Sequence, residues 1–269
     1  MSNTFDSEKA ITTIKRFITG KLLQSGLDGY VIGLSGGIDS ALSATLAVEA
    51  VGKEKVYGIL MPYKTSSESS VTDAMELVHK LGIEHTKIDI SPMIDIYFNE
   101  INNENKLRAG NKMARERMSI LFDYAHKLNR LVLGTGNRTE ICLGYTTWYG
   151  DSACSLNPVG QLYKTEVRQL SKLLGVPQSI INKPPSADLW AGQTDEDEIG
   201  VTYSQIDSLL MQIVDNGIDS LAKLQELEFN QTDISRVISM LNRNAFKRNA
   251  PEIAPLGRNN IPDAIQLQE

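Results

Sequence analysis

The sequence predicts an α/β fold with a parallel sheet and additional helices at the C-terminal end. Over the first 135 residues, apolar strand-like segments alternate with segments of helical periodicity. Strands separated by helices of this length predict parallel pairing through right-handed crossovers. A glycine-rich turn follows the first predicted strand, and three helical patterns close the chain, near 202–215, 219–227 and 231–245.

The elements of this sheet follow in chain order. An amphipathic helix comes first, with apolar residues at helical spacing: Ile11, Ile14, Phe17, Ile18 and Leu22. The predicted strands are 30–34, 56–61, 86–90 and 131–134. The predicted helices begin at Ser40 and Ser91 or span 67–81 and 105–128. The predicted helix over 67–81 has the predicted inner face Val71, Ala74, Met75, Val78 and Leu81.

The second half of the chain contains longer irregular segments. Residues 151–157 predict a loop, and a helix over 164–174 ends at a Gly-Val-Pro sequence. The stretch 187–200 predicts an exposed excursion.

We expect one domain over residues 1–250. Its α/β core and the loops of a candidate site occupy 1–200, and C-terminal helices occupy 201–250. The remaining residues, 251–269, predict an irregular tail.

Composition and charge exclude several classes of function. The 269 residues carry a net charge of −6 and a pI near 5.3, whereas nucleic-acid-binding proteins usually show a basic excess. No stretch approaches the ~20 apolar residues needed to span a bilayer, and the N-terminal region has no apolar signal core. The two cysteines form no Cys-x-x-Cys pair, and the three histidines show no metal-ligand spacing. We therefore expect a cytoplasmic protein with free thiols and no membrane, nucleic-acid or zinc site.

The segment Leu34–Ser40, here called the phosphate cradle, is the strongest functional signal. It lies between a predicted strand and a predicted helix and reads Leu-Ser-Gly-Gly-Ile-Asp-Ser. Adjacent glycines let the backbone approach an anion, and the first N–H groups of the helix point at it. Ser35 and Ser40 can donate hydroxyl hydrogen bonds, and Asp39 can reach a metal ion that bridges phosphates.

The spacing also indicates which kind of phosphate loop this is. A Walker A loop requires a lysine before the last serine, and the dinucleotide fingerprint requires a different glycine spacing. The Ser-Gly-Gly-x-Asp-Ser pattern instead resembles the pyrophosphate loop of the ATP pyrophosphatases, which cleave ATP between its α and β phosphates. An ordinary strand–turn–helix corner is the alternative interpretation.

A second candidate site follows the fourth predicted strand, over Thr135-Gly136-Asn137-Arg138-Thr139-Glu140. Mg²⁺ prefers oxygen ligands, usually one or two carboxylates with phosphate oxygens and water. Asp39 and Glu140 could supply these carboxylates if the two strand ends are neighbours. A generic turn remains the alternative.

Three further charged features allow both a functional and a solvated-surface interpretation. Arg108, Lys112 and Arg115 form a cationic stripe on the long helix, either a solvated face or a clamp for substrate phosphates. Lys164 could neutralise a triphosphate or be a surface lysine. The acidic run 195–198 is either a solvated loop or part of a lid.

Taken together, these segments make the chain resemble the ammonia-dependent NAD synthetases over nearly its whole length. The matching segments beyond the phosphate cradle are Gly110–Met118, Leu133–Asn137 with Glu140, Tyr149–Asp151, Lys183–Leu189, Gln193–Glu196, Gly200–Tyr203 and Phe246–Arg248. This resemblance implies a doubly wound parallel sheet of the Rossmann-like ATP pyrophosphatase type and a homodimer. It also implies that Gln193–Glu196 belongs to a mobile active-site loop.

The resemblance further implies roles for individual residues. Asp39, Lys164 and Ser186 would be catalytic, and Mg²⁺ would be held by Asp39 and Glu140. The implied contacts of the co-substrate ATP are Gly33, Leu34, Ser35, Gly36, Gly37, Ile38, Asp39, Ser40, Thr135, Lys164 and Ser186. The implied contacts of deamido-NAD are Arg115, Trp148, Ser155, Phe246 and Lys247.

Three of these positions depart from the commonest form of the family. Many members carry lysine, aspartate and histidine where this chain has Trp148, Ser155 and Phe246. These substitutions indicate a branch that holds the dinucleotide differently, while the ATP site keeps the usual residues.

The implied reaction is the formation of NAD from deamido-NAD, ATP and ammonia. Deamido-NAD is adenylated first, pyrophosphate leaves, and ammonia then displaces AMP. We expect free ammonia as the nitrogen donor because the chain has no room for a separate glutaminase domain. Two alternatives are another pyrophosphate-loop adenylating enzyme, tRNA-modifying or amide-forming, and a non-catalytic nucleotide-binding module.

Overall fold

A parallel four-stranded sheet organises the computed structural model, which describes residues 5–101, 105–186, 194–254 and 256. The strands are β1 (Gly29–Gly33), β2 (Val56–Leu60), β3 (Glu84–Lys87) and β4 (Arg130–Val132). Their order is β3-β2-β1-β4, and all pairs are parallel. A single bridge between Leu133 and Leu156 extends the pairing beyond β4. The chain order reverses direction between β1 and β4, so their carboxyl ends form the crevice where such sheets bind ligands.

Helices account for most of the remaining described residues. In the N-terminal half they are α1 (Ser7–Ser25), α2 (Ile38–Val51), α3 (Glu68–Leu81), α4 (Ser91–Ile101) and α5 (Lys106–Lys127). Then follow α6 (Arg138–Leu143), α7 (Lys164–Leu173), α8 (Gln178–Asn182), α9 (Asp195–Ile199) and α10 (Tyr203–Leu210). A π-turn over Met211–Asp215 extends α10, and α11 (Leu221–Glu226) and α12 (Gln231–Arg243) are the last described α-helices. Short 3₁₀ helices cover Lys53–Lys55 and Ala245–Arg248. None of the described helices has the length and apolar character needed to cross a membrane.

The helices cover both faces of the sheet, as the predicted doubly wound fold requires. Tyr30 and Ile32 of β1 belong to the apolar cluster under α1, α2, α3 and α7. Val31 belongs to a second cluster, with residues of α4 and α5. This alternation follows from the two-residue period of a strand, which sends neighbouring side chains to opposite faces. A third cluster joins α6 to α10, α11 and α12.

The predicted strands and long helices are confirmed, with boundary shifts of one or two residues in most cases. The third strand differs more, because Glu84 and His85 pair with Tyr57 and Gly58 although neither is apolar. As an edge strand, β3 is defined by backbone pairing rather than by burial. On α3, the fully buried apolar position Leu77 was missing from the predicted inner face.

Three short helices were not predicted, namely α6, α8 and α9. Each has only five or six residues and so shows only a weak helical period in the sequence, although the equally short α11 was predicted. The predicted loop 151–157 contains Leu156, which bridges to Leu133 at the sheet edge. Residues 251–254 and 256 have no regular secondary structure, and the rest of the predicted tail lies outside the described residues. The division at residue 200 stays a prediction.

Candidate active site

The phosphate cradle connects β1 to α2 in a conformation that requires glycine at one point. Gly36 has φ +75°, and a Cβ added there would lie 2.2 Å from the Ser70 carbonyl oxygen. Ser35 Oγ lies 3.2 Å from Ser40 Oγ and accepts the Gly37 N–H at 3.2 Å. The turn therefore aims the first N–H groups of α2 toward the carboxyl end of β1, where an anion can bind.

Asp39 lies in the first turn of α2 and contacts two distant parts of the chain. Its Oδ1 accepts the Asn137 side-chain amide at 2.8 Å, and its Oδ2 lies 2.6 Å from Lys164 Nζ. These contacts join the ends of β1 and β4, which pair directly in the sheet. The predicted proximity of the two strand ends is thus present in the structure.

Glu140 is oriented by a capping box at the start of α6. Asn137 Oδ1 accepts the Glu140 N–H at 2.9 Å, and Glu140 Oε2 accepts the Asn137 N–H at 3.1 Å. The other carboxylate oxygen, Oε1, lies 3.2 Å from Lys164 Nζ. Burial raises the pKa of Glu140 to about 8, although the charge of Lys164 opposes the shift. A Gly-Thr-Gly-Asn sequence is therefore more than a turn here, because its asparagine both caps α6 and holds Asp39.

Lys164 bridges the two carboxylates from the first residue of α7. Its side chain is 4% exposed, and the ammonium lies 5.1 Å from the centre of the Tyr203 ring. Burial alone would lower the pKa of Lys164, but the charges of Asp39 and Glu140 outweigh burial and raise it. The surface-lysine interpretation is wrong.

The acidic run 195–198 is part of a helix with one buried side and one exposed side, rather than a solvated loop. It forms α9, and its first residue, Asp195, is 4% exposed. Asp195 accepts hydrogen bonds from the hydroxyls of Tyr203, at 3.1 Å, and Tyr145, at 3.3 Å. Burial raises the pKa of Asp195, and the charge of Lys164 opposes the shift. The other half of the predicted lid, including Gln193, lies outside the described residues.

An aromatic cluster occupies the region assigned to the dinucleotide. The Trp148 ring stacks on Tyr149 at 4.4 Å and meets the edge of Phe246 at 5.2 Å. Arg115 Nε donates to the Trp148 carbonyl at 3.2 Å, and Lys247 Nζ donates to the carbonyls of nearby residues at 2.7 and 2.8 Å. Four of the five predicted dinucleotide contacts therefore belong to one surface, namely Arg115, Trp148, Phe246 and Lys247.

Ser155 belongs to a different environment from this aromatic cluster. Its Oγ accepts the Val132 N–H at 3.0 Å, which ties it to the end of β4. Thr135 follows the same strand end, half-buried between β4 and α6. Ser186 is exposed and follows Lys183, whose ammonium contacts Ser70 Oγ at 2.9 Å beside the phosphate cradle.

The cationic stripe on α5 lines a cleft of about 360 Å³. Arg108, Lys112 and Arg115 share this cleft with Tyr97 and Leu107. Lys112 is paired with Glu116 one turn along the helix. The stripe is therefore part of a concave surface rather than only a solvated helix face.

A comparison with known protein families finds one family whose model covers most of this chain. A model described as NAD synthase matches residues 10–251. The chain belongs to the NAD synthase family. This confirms the resemblance inferred from the sequence, together with the interpretation of the chain as a ligase that uses ATP in NAD synthesis.

Three similar proteins match this chain over almost their whole length. The NH(3)-dependent NAD(+) synthetase of Trichlorobacter lovleyi is 48% identical over 91% of this chain and 89% of its own. Among solved structures, an NMN synthetase from Francisella tularensis has a TM-score of 0.83 and 35% identity, over 93% of this chain and 99% of its own. The NH3-dependent NAD synthetase of Campylobacter jejuni has a TM-score of 0.80 and 36% identity, over 93% and 100%.

Sequence analysis singled out the segments around four further residues of this NAD synthase site but assigned these residues no contact. Asn137, Tyr203 and Asp195 surround the Lys164 ammonium or its carboxylate partners, and Tyr149 completes the aromatic cluster. A fully buried polar side chain leaves no periodic signal. Tyr149 has one local mark, a positive φ of 60°, which is visible only in the structure.

Metal binding at this site would depend on few protein groups. Within the described ranges, no set of three or more His, Cys, Asp or Glu side chains is placed to hold a metal ion. Asp39 and Glu140 are two carboxylates near the phosphate cradle that could contribute to holding a cation.

Proposed function

We propose that this chain forms NAD from deamido-NAD, ATP and ammonia through an acyl-adenylate. The observation that carries the proposal is the Lys164 ammonium held between Asp39 and Glu140 beside the phosphate cradle. This arrangement places a buried ammonium, two carboxylates that a divalent ion could bridge, and backbone N–H donors where the β and γ phosphates of ATP would leave.

The chemistry explains why ATP is needed. A carboxylate is a poor electrophile, so ammonia does not form an amide with it at neutral pH. In the first step a carboxylate oxygen of the nicotinate attacks the α-phosphorus, and the bond to the bridging oxygen breaks to release pyrophosphate. In the second step ammonia attacks the acyl carbon, loses a proton, and AMP departs with the carboxyl oxygen. Positioning and charge stabilisation are the protein's main contributions.

The cradle residues have distinct parts in this scheme. The N–H groups of the first turn of α2 and the hydroxyls of Ser35 and Ser40 bind the departing pyrophosphate. Lys164 stabilises its growing negative charge, and Asn137 keeps the Asp39 carboxylate oriented. Thr135 and Ser186 are assigned to the rest of ATP by the family resemblance.

The donor set at the cradle fits Mg²⁺. Asp39 and Glu140 present carboxylate oxygens to one cation, the Lys164 ammonium, and a divalent ion with phosphate oxygens has the same ligand preference. We assign Mg²⁺ to these two residues. When bound, the ion would neutralise the phosphates and polarise the phosphoryl group.

The dinucleotide is assigned to the surface formed by Arg115, Trp148, Phe246 and Lys247. Aromatic rings offer stacking area to the flat rings of a dinucleotide, and the two cations suit its pyrophosphate. Stacking would replace the ionic contacts that lysine and histidine supply in many relatives. Because Ser155 bonds to the backbone of β4, its contribution is to shape the strand end beside the substrate.

We further propose a homodimer in the cytoplasm. Large apolar side chains are exposed on α4 and α5, a face that suits a second copy of the chain. They are Met93, Ile96, Tyr97, Ile101, Leu107 and Phe122. The free thiols of Cys142 and Cys154 fit a reducing compartment.

A second candidate function is amidation of the corresponding mononucleotide. It is favoured by the similarity to the NMN synthetase of Francisella tularensis, whose TM-score of 0.83 is as high as that of the NAD synthetase compared above. The reacting carboxylate is the same in both substrates, so the chemical step would not change. The adenylate half of deamido-NAD decides between them.

The test is a parallel assay of the purified chain with deamido-NAD or nicotinate mononucleotide, each with Mg-ATP and ammonium. We expect NAD, pyrophosphate and AMP in equal amounts, with kcat/KM highest for deamido-NAD. A higher kcat/KM for the mononucleotide would reassign the substrate. Pyrophosphate without amide would contradict both functions, and equal use of glutamine and ammonium would contradict free ammonia as the nitrogen source.

A further inference from the structure

The helices that carry Glu140 and Lys164 begin side by side and are held by a third helix. Asp207 of α10 is 1% exposed, and its Oδ1 accepts the Thr139 hydroxyl at 2.6 Å. Its Oδ2 accepts the Thr165 backbone N–H at 2.8 Å. Thr139 precedes Glu140 in the sequence, and Thr165 follows Lys164. The buried Asp207 carboxylate is therefore hydrogen-bonded to a sequence neighbour of each site residue.

Thr139 completes this connection. Its Oγ accepts the Lys164 backbone N–H at 3.0 Å while its hydroxyl hydrogen is donated to Asp207. The first two N–H groups of α7 are thus satisfied by Thr139 and Asp207, which belong to other helices. The positive end of the α7 dipole and these hydrogen bonds offset the cost of burying the Asp207 charge. The direction of the Lys164 side chain therefore depends on α10.

A second aspartate repeats the pattern eight residues further on. Asp215 accepts hydrogen bonds from the Arg138 guanidinium and, at 2.7 Å, from the Tyr163 hydroxyl. Arg138 opens α6 and Tyr163 immediately precedes α7. Both aspartates therefore bridge the same two helix starts.

The π-turn explains how two positions eight apart reach one junction. In a regular α-helix of about 3.6 residues per turn, they would be rotated by about 80° relative to each other. The π-turn over Met211–Asp215 takes an additional residue into its turn and reduces this offset. Asp215 and Asp207 thereby lie on nearly the same face of the helix.

We propose that Asp207, supported by Asp215, is a positioning residue that sets the separation between the Glu140 carboxylate and the Lys164 ammonium. The inference rests on the proposed function of the phosphate cradle. Asp207 acts through Thr139 and Thr165 and touches neither ATP nor the dinucleotide. Loss of its hydrogen bonds should impair ATP binding and the chemical step, and should spare binding of deamido-NAD at Trp148.

Thr139 provides the sharpest pair of variants. Thr139→Val removes the hydroxyl and both hydrogen bonds at nearly constant volume, whereas Thr139→Ser keeps them. We expect Thr139→Val to lower kcat by about 10- to 100-fold, as expected for a misplaced catalytic group. Affinity for a non-hydrolysable Mg-ATP analogue, measured by calorimetry, should fall by about tenfold, with the KM for deamido-NAD within about twofold. Thr139→Ser should stay within about twofold in all three.

Asp207→Asn is the second variant, and its control is Asp219→Asn, an exposed aspartate beyond the π-turn. Asp207→Asn should reproduce the Thr139→Val pattern. If Asp207→Asn does not fold, the Thr139 pair decides the question. The proposal is overturned if Thr139→Val matches Thr139→Ser in kcat and analogue affinity, or if the KM for deamido-NAD rises as much as analogue binding weakens. If the wild-type chain makes no NAD, the proposed function fails, and analogue affinity still tests the positioning role.

Discussion

Lys164 Nζ lies 2.6 Å from Asp39 Oδ2, although the two residues are 125 positions apart in the chain. The contact joins the start of α7 to the start of α2, and Glu140 completes it from the start of α6. Three helix starts thus meet at the carboxyl ends of β1 and β4. Because the ammonium is almost fully buried, this ion pair is shielded from solvent and sensitive to the removal of either partner.

Replacement of Lys164 by methionine should abolish most of the activity. The change keeps the length of the side chain but removes the charge that would stabilise departing pyrophosphate. We expect kcat to fall by about 100-fold or more, the scale of a lost electrostatic contact to a transition state. Lys172→Met, at an exposed position of the same helix, is the matched control. Pyrophosphate release at the wild-type rate in Lys164→Met would remove this residue from the mechanism.

Asp39→Asn should weaken the binding of Mg²⁺ and reduce turnover strongly. The amide keeps an oxygen that can accept from Asn137 but loses the negative charge shared with Lys164. A magnesium titration of NAD formation should show a higher half-saturating concentration and a lower maximal rate. A variant within about threefold of wild type at all magnesium concentrations would exclude Asp39 as a metal ligand.

Trp148→Ala should act on one substrate rather than both. If Trp148 stacks on a ring of the dinucleotide, its loss should raise the KM for deamido-NAD by about tenfold, the scale of 1–2 kcal/mol of stacking. The KM for ATP should change by less than about twofold. Trp148→Phe retains an aromatic ring next to Phe246, so its KM for deamido-NAD should lie between those of the wild type and Trp148→Ala. Equal increases in both KM values would instead indicate that Trp148 only packs the surface.

Glu140 should make the stability of the fold depend on pH in an unusual direction. Burial raises its pKa to about 8 in the folded chain, whereas an unfolded glutamate titrates near 4.5. Between these values the folded state binds more protons, so the contribution of this group to the unfolding free energy is present below about pH 4.5 and declines up to about pH 8. Glu140→Gln removes this decline.

The measurement is urea unfolding of both proteins between pH 5 and 9. The Gln variant loses a partner of Lys164, so its absolute stability can be lower than that of the wild type. As the pH rises, the unfolding free energy of the wild type should nevertheless fall relative to that of Glu140→Gln. A difference that is constant with pH would show that Glu140 titrates near its ordinary value.

Local patterns predicted the parts of this molecule that repeat along the chain. Strand and helix periodicities located β1, β2 and β4, and α5 was predicted to within one residue at each end. The phosphate cradle was recognisable because its glycines and serines are consecutive. The short helices α6 and α9 were missed, and with them the capping box of Glu140 and the burial of Asp195. Their five or six residues show only a weak period, although the equally short α11 was predicted.

By itself, the sequence determined the alternation of strands and helices, the phosphate-binding turn and membership of the NAD synthase family, because these reside in local order and spacing. Only the tertiary structure decided that Lys164 is a buried bridge rather than a surface lysine, and that Trp148 and Phe246 share one surface. The strand order β3-β2-β1-β4 makes β1 and β4 neighbours, and the helix starts that carry Asp39, Glu140 and Lys164 pack together at the carboxyl ends of these strands. Such contacts depend on long-range packing and electrostatics, which leave no periodic mark in the chain.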